Sequence, residues 1–329
     1  MKIALDVMGS DYGPEEILAG AKEALAKLPD LQLLLVGDEE EILAKWPEIN
    51  QENRAEILHA GEVIAMGEHP ALAYRRKKDA SITVATKAVK DGRAAAVVSA
   101  GSTGAQMVAA LFVLGRVEGI DRPAIASFLP TLQGPCLMLD IGANLDSSPE
   151  NLLQYGWMGK IYSEVALGIK DPAVYLLSNG TEEEKGDERT QKAHKLMAEA
   201  EGLGFCGNVE AKEILQGKAR VIVTDGFAGN VALKTMEGTA QTLFALMKDA
   251  FVSDGRSKLG AVLLQPALKG LKKRLDADEY GGAPLLGVNG LSVVCHGSAK
   301  ARAIAVALER AAEWAASGFL EKMSAHLFS

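Results

Sequence analysis

The stretch Val221-Ile222-Val223-Thr224-Asp225-Gly226-Phe227-Ala228-Gly229-Asn230-Val231-Ala232-Leu233-Lys234 sets an aspartate, two glycines and an asparagine where a β-branched run gives way to helix-spaced apolar residues. Asp225 closes the run, and Asn230 stands where a helix is expected to begin. A strand feeding such a turn aims unpaired helical N–H groups past its own end, and the helix dipole favours an anion there. An ordinary βα turn explains the same residues, with glycines supplying positive φ and the asparagine as a cap. The chain repeats the device. Ser99-Ala100-Gly101-Ser102-Thr103-Gly104-Ala105 offers hydroxyls and close backbone approach, without the GxxxxGK[ST] spacing of a P-loop. Asp6-Val7-Met8-Gly9-Ser10-Asp11, Asp140-Ile141-Gly142-Ala143-Asn144, Ser178-Asn179-Gly180-Thr181 and His296-Gly297-Ser298 each follow a strand-like run. A lone histidine at a strand end serves as a structural hydrogen-bond partner as readily as a catalyst.

The missing motifs narrow the chemistry. There is no GxSxG elbow, HExxH or zinc spacing, and none of the cysteines sits at a glycine turn in an electropositive setting. An edge built for anions, without a protein nucleophile, implies a substrate that brings its own. Inorganic phosphate, a dianion near neutral pH, would need positioning and electrostatic stabilisation more than a general base. No metal and no cofactor is expected.

Alternating elements must position these turns. Strands are expected over 2–7, 31–36, 56–60, 94–98, 124–129, 135–141, 173–177, 205–209 and 291–295, besides the run at 221–223, with helices between most of them. That alternation predicts a largely parallel sheet covered on both faces, whose carboxyl-end loops share one edge. Two charged runs, Arg75-Arg76-Lys77-Lys78 and Glu182 to Arg189, read by default as solvated helix ends. The segment Lys258 to Leu275 mixes cations with Leu264, Leu268, Leu271 and Leu275 at helical spacing, and Pro266 is expected to force a break or hairpin. It suits a dimer arm, an amphipathic hairpin drawn to anionic lipid, or a buried helix with snorkelling lysines.

Composition sets the limits. The 329 residues are 48% hydrophobic and 5% aromatic, as in an aliphatic α/β core, and a net charge of −8 argues against nucleic-acid binding. Three cysteines without a CxxC pair fit a reduced cytoplasmic protein, Asp6 interrupts any signal-peptide core, and no apolar run is long enough for a membrane span. One domain over 1–329 is expected, with an arm at about 251–276.

Taken together, Asp6 to Asp11, Val98 to Ala105, Asp140 to Asn144, Glu184-Lys185-Gly186, Asp225 to Val231, Gly281-Gly282-Ala283-Pro284-Leu285-Leu286-Gly287 and His296 to Ser298 make the chain resemble the phosphate acyltransferases of bacterial phospholipid synthesis. The resemblance runs almost end to end. It implies a three-layer α/β/α sandwich like that of isocitrate and isopropylmalate dehydrogenases and of phosphate acetyltransferases, a homodimer, and peripheral membrane association. It implies transfer of a fatty acyl group from acyl carrier protein to phosphate, with Lys185 and Asn230 catalytic. Asp6, Gly9, Ser99, Gly101, Ser102, Thr103, Gly104, Asp140, Asn144, Asp225, Phe227, Gly229, His296 and Ser298 are expected to bind substrate. The acyl phosphate would pass to the membrane glycerol-phosphate acyltransferase. Arg75 to Lys78 and Lys269 to Arg274 are the two candidate docking patches for the acidic carrier. The alternatives are a coenzyme A-dependent phosphate acetyl- or butyryltransferase, a decarboxylating nicotinamide-dependent dehydrogenase, for which no compact carboxylate cluster is evident, and a non-catalytic lipid-binding scaffold, which leaves the polar turns unexplained.

Overall fold

Short apolar runs alternating with helix-spaced segments close into one sheet, because the inner strands bury both of their faces under helices. The structure, a computed structural model, describes residues 1–275, 281–318, 320 and 322–323, and of 272–275 the backbone only. Its strands are β1 (Lys2–Asp6), β2 (Gln32–Gly37), β3 (Ala55–His59), β4 (Ala96–Ser99), β5 (Ala124–Leu129), β6 (Cys136–Leu139), β7 (Val174–Ser178), β8 (Phe205–Glu210), β9 (Val221–Val223), β10 (Ala283–Leu286) and β11 (Leu291–Val294). Its helices are α1 (Pro14–Lys27), α2 (Glu39–Lys45), α3 (Pro70–Arg76), α4 (Ser81–Lys90), α5 (Thr103–Ala109, continued by a π turn at Ala110–Leu114), α6 (Pro149–Leu167), α7 (Glu188–Glu199), α8 (Gly226–Val252), α9 (Gly255–Leu275) and α10 (Ala301–Ala316).

The strands lie in the order β3-β2-β1-β4-β11-β10-β5-β6-β9-β7-β8. Period-2 alternation fills a core on each face. In β1, Ile3 and Leu5 join a core with α1 and α10, and Ala4 joins another with α3, α4 and α5. In β6, Leu137 and Leu139 pack with α6 and α7, while Cys136 and Met138 lie with Leu233 and Met236 of α8. The result is a mixed sheet in a three-layer arrangement.

The structure differs from the sequence expectations at three points. First, the carboxyl ends do not share one sheet edge. Antiparallel pairings β11–β10, β10–β5 and β5–β6 stand between two parallel sets. An odd number of reversals makes β6, β9, β7 and β8 run opposite to β1, β2, β3, β4 and β11. Twist of about 20–25° per strand step turns β4 and β9 across each other by roughly 100–125°, so loops from opposite edges reach one cleft. Second, β10 was not expected, because Pro284 sits inside it. A proline argues against an inner strand, yet this one pairs with β11 and β5. Third, Pro266 does not break the arm and lies within α9. The hairpin turns earlier, where Asp254 accepts the N–H groups of Arg256 and Ser257 and so caps α9. The expected end of the arm at 276 and the side chains of 272–274 lie outside the described residues.

Candidate active site

The first wall of the site comes from β1 and β4. Asp6 is buried and accepts from Ser99 Oγ (2.7 Å) and from Met8 N–H (3.2 Å), and Ser99 Oγ accepts from Gly101 N–H (3.0 Å). Burial raises the Asp6 carboxyl from 3.8 to about 6 against the lowering effect of these hydrogen bonds. Gly9, at φ 84°, and Gly101 lie back to back, since a Cβ on Gly9 would sit 3.4 Å from Gly101 Cα. Ser102 caps α5 by accepting from Ala105 N–H. Thr103 opens that helix exposed, and the N–H groups of Thr103 and Gly104 meet no acceptor among the described residues. Gly104 lies against Pro70, whose Cγ would be 2.6 Å from a Cβ there.

The second wall is organised by Asp140. Its Oδ1 accepts from the N–H groups of Ile125, Gly142 and Ala143, and its Oδ2 from the N–H and the amide of Asn144. Burial raises its pKa, and those donors oppose the shift. Asn144 also donates to the Pro123 carbonyl (2.7 Å), so loop 140–144 is pinned to the start of β5.

Against that loop rests α8, and here the local reading needs correction. The helix begins at Gly226, so Asn230 lies inside it and is no cap. The cap is Asp225, whose Oδ1 accepts from Phe227 and Ala228 N–H at 3.0 Å each. Gly226 N–H donates to Asn144 O and Gly229 N–H to Asp225 O. The first N–H groups are thus all engaged, and this helix end offers no open anion site. Nor do its glycines supply positive φ. They allow close approach: a Cβ on Gly226 would lie 2.7 Å from Asp140 Oδ2, and one on Gly229 would overlap the Asp140 carbonyl.

Both walls open on a cavity of about 390 Å³. Thr103, Gly142, Asn230, Lys234, Glu237 and His296 give it a polar side; Ile125, Phe128, Ile141, Leu233, Val294 and Ala303 give it an apolar one. Lys234 and Glu237 pair at 2.9 Å. The N–H of Ser298 donates to His296 Nδ1 (3.2 Å), and Ser298 Oγ lies 2.7 Å from the same nitrogen. A nitrogen that accepts keeps its lone pair, which assigns the ring proton to Nε2 and leaves Nε2–H as the donor for a ligand.

Of the expected site residues, Thr103, Asn230 and His296 meet in this cavity. Asp6, Ser99, Gly101, Ser102, Asp140, Asn144 and Asp225 stand behind it, mostly buried, and hold its loops. Gly9, Gly104 and Gly229 are packing contacts, Ser298 orients His296, and Phe227 is 63% exposed and does not line the cavity. Lys185 does not line it. It lies exposed, its stem folded over Gly180, and its ammonium pairs with no carboxylate among the described residues. Arg189 connects its loop to α8. Arg189 Nη2 bonds Asp225 Oδ2 at 2.9 Å, so the supposed solvated run is fastened to the α8 cap. Leu233, Lys234 and Glu237 were overlooked, although they follow Asn230 at i+3, i+4 and i+7 and share its helix face.

The model of the fatty acid synthesis protein family matches residues 1–322. A phosphate acyltransferase of Heliobacterium modesticaldum is 54% identical over 329 residues, covering 99% of this chain and 98% of that one. That of Pelotomaculum thermopropionicum is 51% identical over 329 residues, covering 100% and 96%. Among solved structures, EutD phosphotransacetylase from Staphylococcus aureus matches with a TM-score of 0.63 at 20% identity, covering 96% and 94%. A branched-chain phosphotransacylase from Enterococcus faecalis matches at 0.60 and 14%, covering 96% and 99%. At these identities the structural likeness shows a shared fold.

Proposed function

The chain belongs to the phosphate acyltransferase family, and from that premise we propose that it transfers a long-chain acyl group from acyl carrier protein to inorganic phosphate. The observation that carries this is the cavity itself, where Thr103, Asn230 and His296 face an apolar wall fit for an acyl chain. Phosphate occupies the polar side, taking hydrogen bonds from the unpaired N–H groups of Thr103 and Gly104, from Thr103 Oγ1 and from His296 Nε2. One of its oxygens attacks the thioester carbon. A C–O bond forms, the carbonyl electrons move to oxygen, and the Asn230 amide stabilises that oxyanion. Collapse breaks the C–S bond; the thiolate, with a pKa around 8.5, needs no strong acid to leave. Lys185 supplies a cation from the loop that Arg189 fastens to α8. The products are acyl phosphate and free carrier protein.

We assign the α8–α9 hairpin to the homodimer and to peripheral contact with anionic membrane, where the cytoplasmic enzyme hands acyl phosphate to the glycerol-phosphate acyltransferase. Support comes from Leu259, Val262 and Leu263, which are 64–75% exposed beside Lys258. A largely apolar groove of about 480 Å³ lies between the two helices. No helix among the described residues is long and apolar enough to cross a membrane. Kinship with isocitrate and isopropylmalate dehydrogenases is proposed along with the phosphotransacetylase fold.

The test is acyl phosphate formation from long-chain acyl carrier protein and from acyl-coenzyme A, with and without phosphate. Loss of an oxyanion donor predicts a fall of about 10²–10³ in kcat for Asn230→Ala. Folded Asn230→Ala and Lys185→Ala proteins working at the parental rate would remove both assignments. Preference for a short-chain coenzyme A donor would favour the coenzyme A-dependent alternative instead.

A further inference from the structure

The charged run Arg75 to Lys78 is not uniformly solvated. Lys77 is engaged, donating to the Val63 carbonyl (2.6 Å) and pairing with Glu68. Arg75, Arg76 and Lys78 are exposed, and neither arginine has an acidic partner among the described residues. Lys78 lies 5.1 Å from the Tyr74 ring centroid, and Tyr74 stacks on Phe112 at 5.3 Å. Phe112 is 63% exposed and Leu72 49%. On α3, Leu72 precedes Arg75 and Arg76 by three and four residues, so all three share one face. Tyr74 follows Leu72 by two residues and so points to another side of α3, which leaves Leu72 and the Tyr74–Phe112 stack flanking Arg75, with Arg76 beside Leu72 and Lys78 beside Tyr74, on a chain whose net charge is −8.

Its place matters as much as its charge. The segment leading into α3 touches the cavity rim twice. Met66 Cε lies where a Cβ on Gly297, next to His296, would come within 2.6 Å, and Pro70 is packed on Gly104, next to Thr103. At 1.5 Å per residue, Arg76 lies only about 9 Å along the helix from Pro70. The other basic candidate has no such link. Lys269 lines the apolar groove between α8 and α9, and the side chains of 272–274 lie outside the described residues.

We infer that the face formed by Leu72, Arg75, Arg76, Lys78 and Phe112 is the docking surface for the acidic carrier protein that delivers the thioester. This rests on the transfer proposed above. Opposite charge steers the carrier, the apolar groups on either side of Arg75 (Leu72, and Phe112 stacked on Tyr74) hold it, and α3 sets it down beside the cavity so that a tethered arm enters between Met66 and Pro70. Position rather than charge selects this occupant: the segment leading into α3 packs beside His296 and Thr103 of the cavity, where the thioester donor must be set down, whereas anionic lipid and a second copy of this chain, equally negative, have no need of that place and are outcomes of the test.

Binding of apo carrier protein is titrated against the parent, Arg75→Glu plus Arg76→Glu, and Phe112→Ala, each checked by thermal melting. The charge reversal should weaken binding at least tenfold and flatten its salt dependence, and Phe112→Ala should weaken it with the salt dependence kept. In turnover, KM for acyl carrier protein should rise at least tenfold with kcat within twofold, while a carrier-free acyl-pantetheine thioester reacts as with the parent. Unchanged carrier binding in both folded variants overturns the inference. So does an equal loss with the carrier-free donor, or loss of vesicle binding or dimerisation in place of carrier binding. A parent that binds carrier at this face but makes no acyl phosphate overturns the proposed transfer and leaves the docking surface standing.

Discussion

Replacing Gly229 by alanine isolates what the glycines of α8 do. A Cβ there would lie 2.9 Å from Thr224 Cγ2 and would overlap the Asp140 carbonyl oxygen, and the carbonyl is backbone that five donors to the Asp140 side chain hold in place. The helix must therefore retreat, by roughly 1 Å to restore contact distance. Overpacking of this kind costs about 1–3 kcal/mol. Asn230 is the next residue and moves with it; a displacement of about 1 Å in a positioning group can cost about 10²-fold in rate. Gly238, on the same helix, has nothing within 4 Å of its Cβ position. Gly238→Ala should stabilise the protein by up to about 1 kcal/mol, the helix-propensity gain, and leave turnover alone. Urea denaturation and acyl phosphate formation on both variants give the comparison. Similar stability and similar rates for Gly229→Ala and Gly238→Ala would refute the close-approach account and return these glycines to ordinary turn residues.

Two further outcomes are expected. Burial holds the Asp6 carboxyl protonated up to about pH 6, above its ordinary 3.8, so its contribution to stability is full below about pH 4 and is lost as pH rises through 6. The loss is about 3 kcal/mol at 1.36 kcal/mol per pKa unit. Asp6→Asn should therefore gain on the parent by about that much between pH 4 and pH 7.5 in denaturant titrations, and a pH-independent difference would contradict the assignment. On the α8–α9 hairpin, Leu263→Glu plus Leu264→Glu should abolish flotation with anionic vesicles while acyl phosphate formation in solution persists; undiminished flotation would detach the membrane role from this hairpin.

Much of the fold was legible because strand runs and helix spacing are local signals, and ten of the strands stand close to where those signals put them. The misses share a physical cause. Pro284 argues locally against the inner strand it belongs to, and only pairing with β11 and β5 overrides it. Gly226 and Gly229 look like turn glycines, since sequence cannot distinguish a residue needing positive φ from one making room for a neighbouring backbone. Arg189 sits in a run whose charges look solvated, and its partner Asp225 is 36 residues away. Three of the turn motifs bring a residue to one cavity, Thr103, Asn230 and His296. They did not reveal that the two parallel sets oppose each other, because direction depends on how many reversals lie between them.

Among the described residues, the last two strands in chain order occupy the middle of the sheet. Until residues 283–294 slot between β4 and β5, each of those strands is the bare edge of a separate half-sheet, open to mispairing with another chain. Joining them requires contacts between residues 96–99 and 291–294, a long-range closure of the kind that makes assembly slow. The same insertion brings Gly282, Ala283, Val294 and His296 to the cavity. During synthesis, then, the period of greatest aggregation risk and the period without a site end in one step.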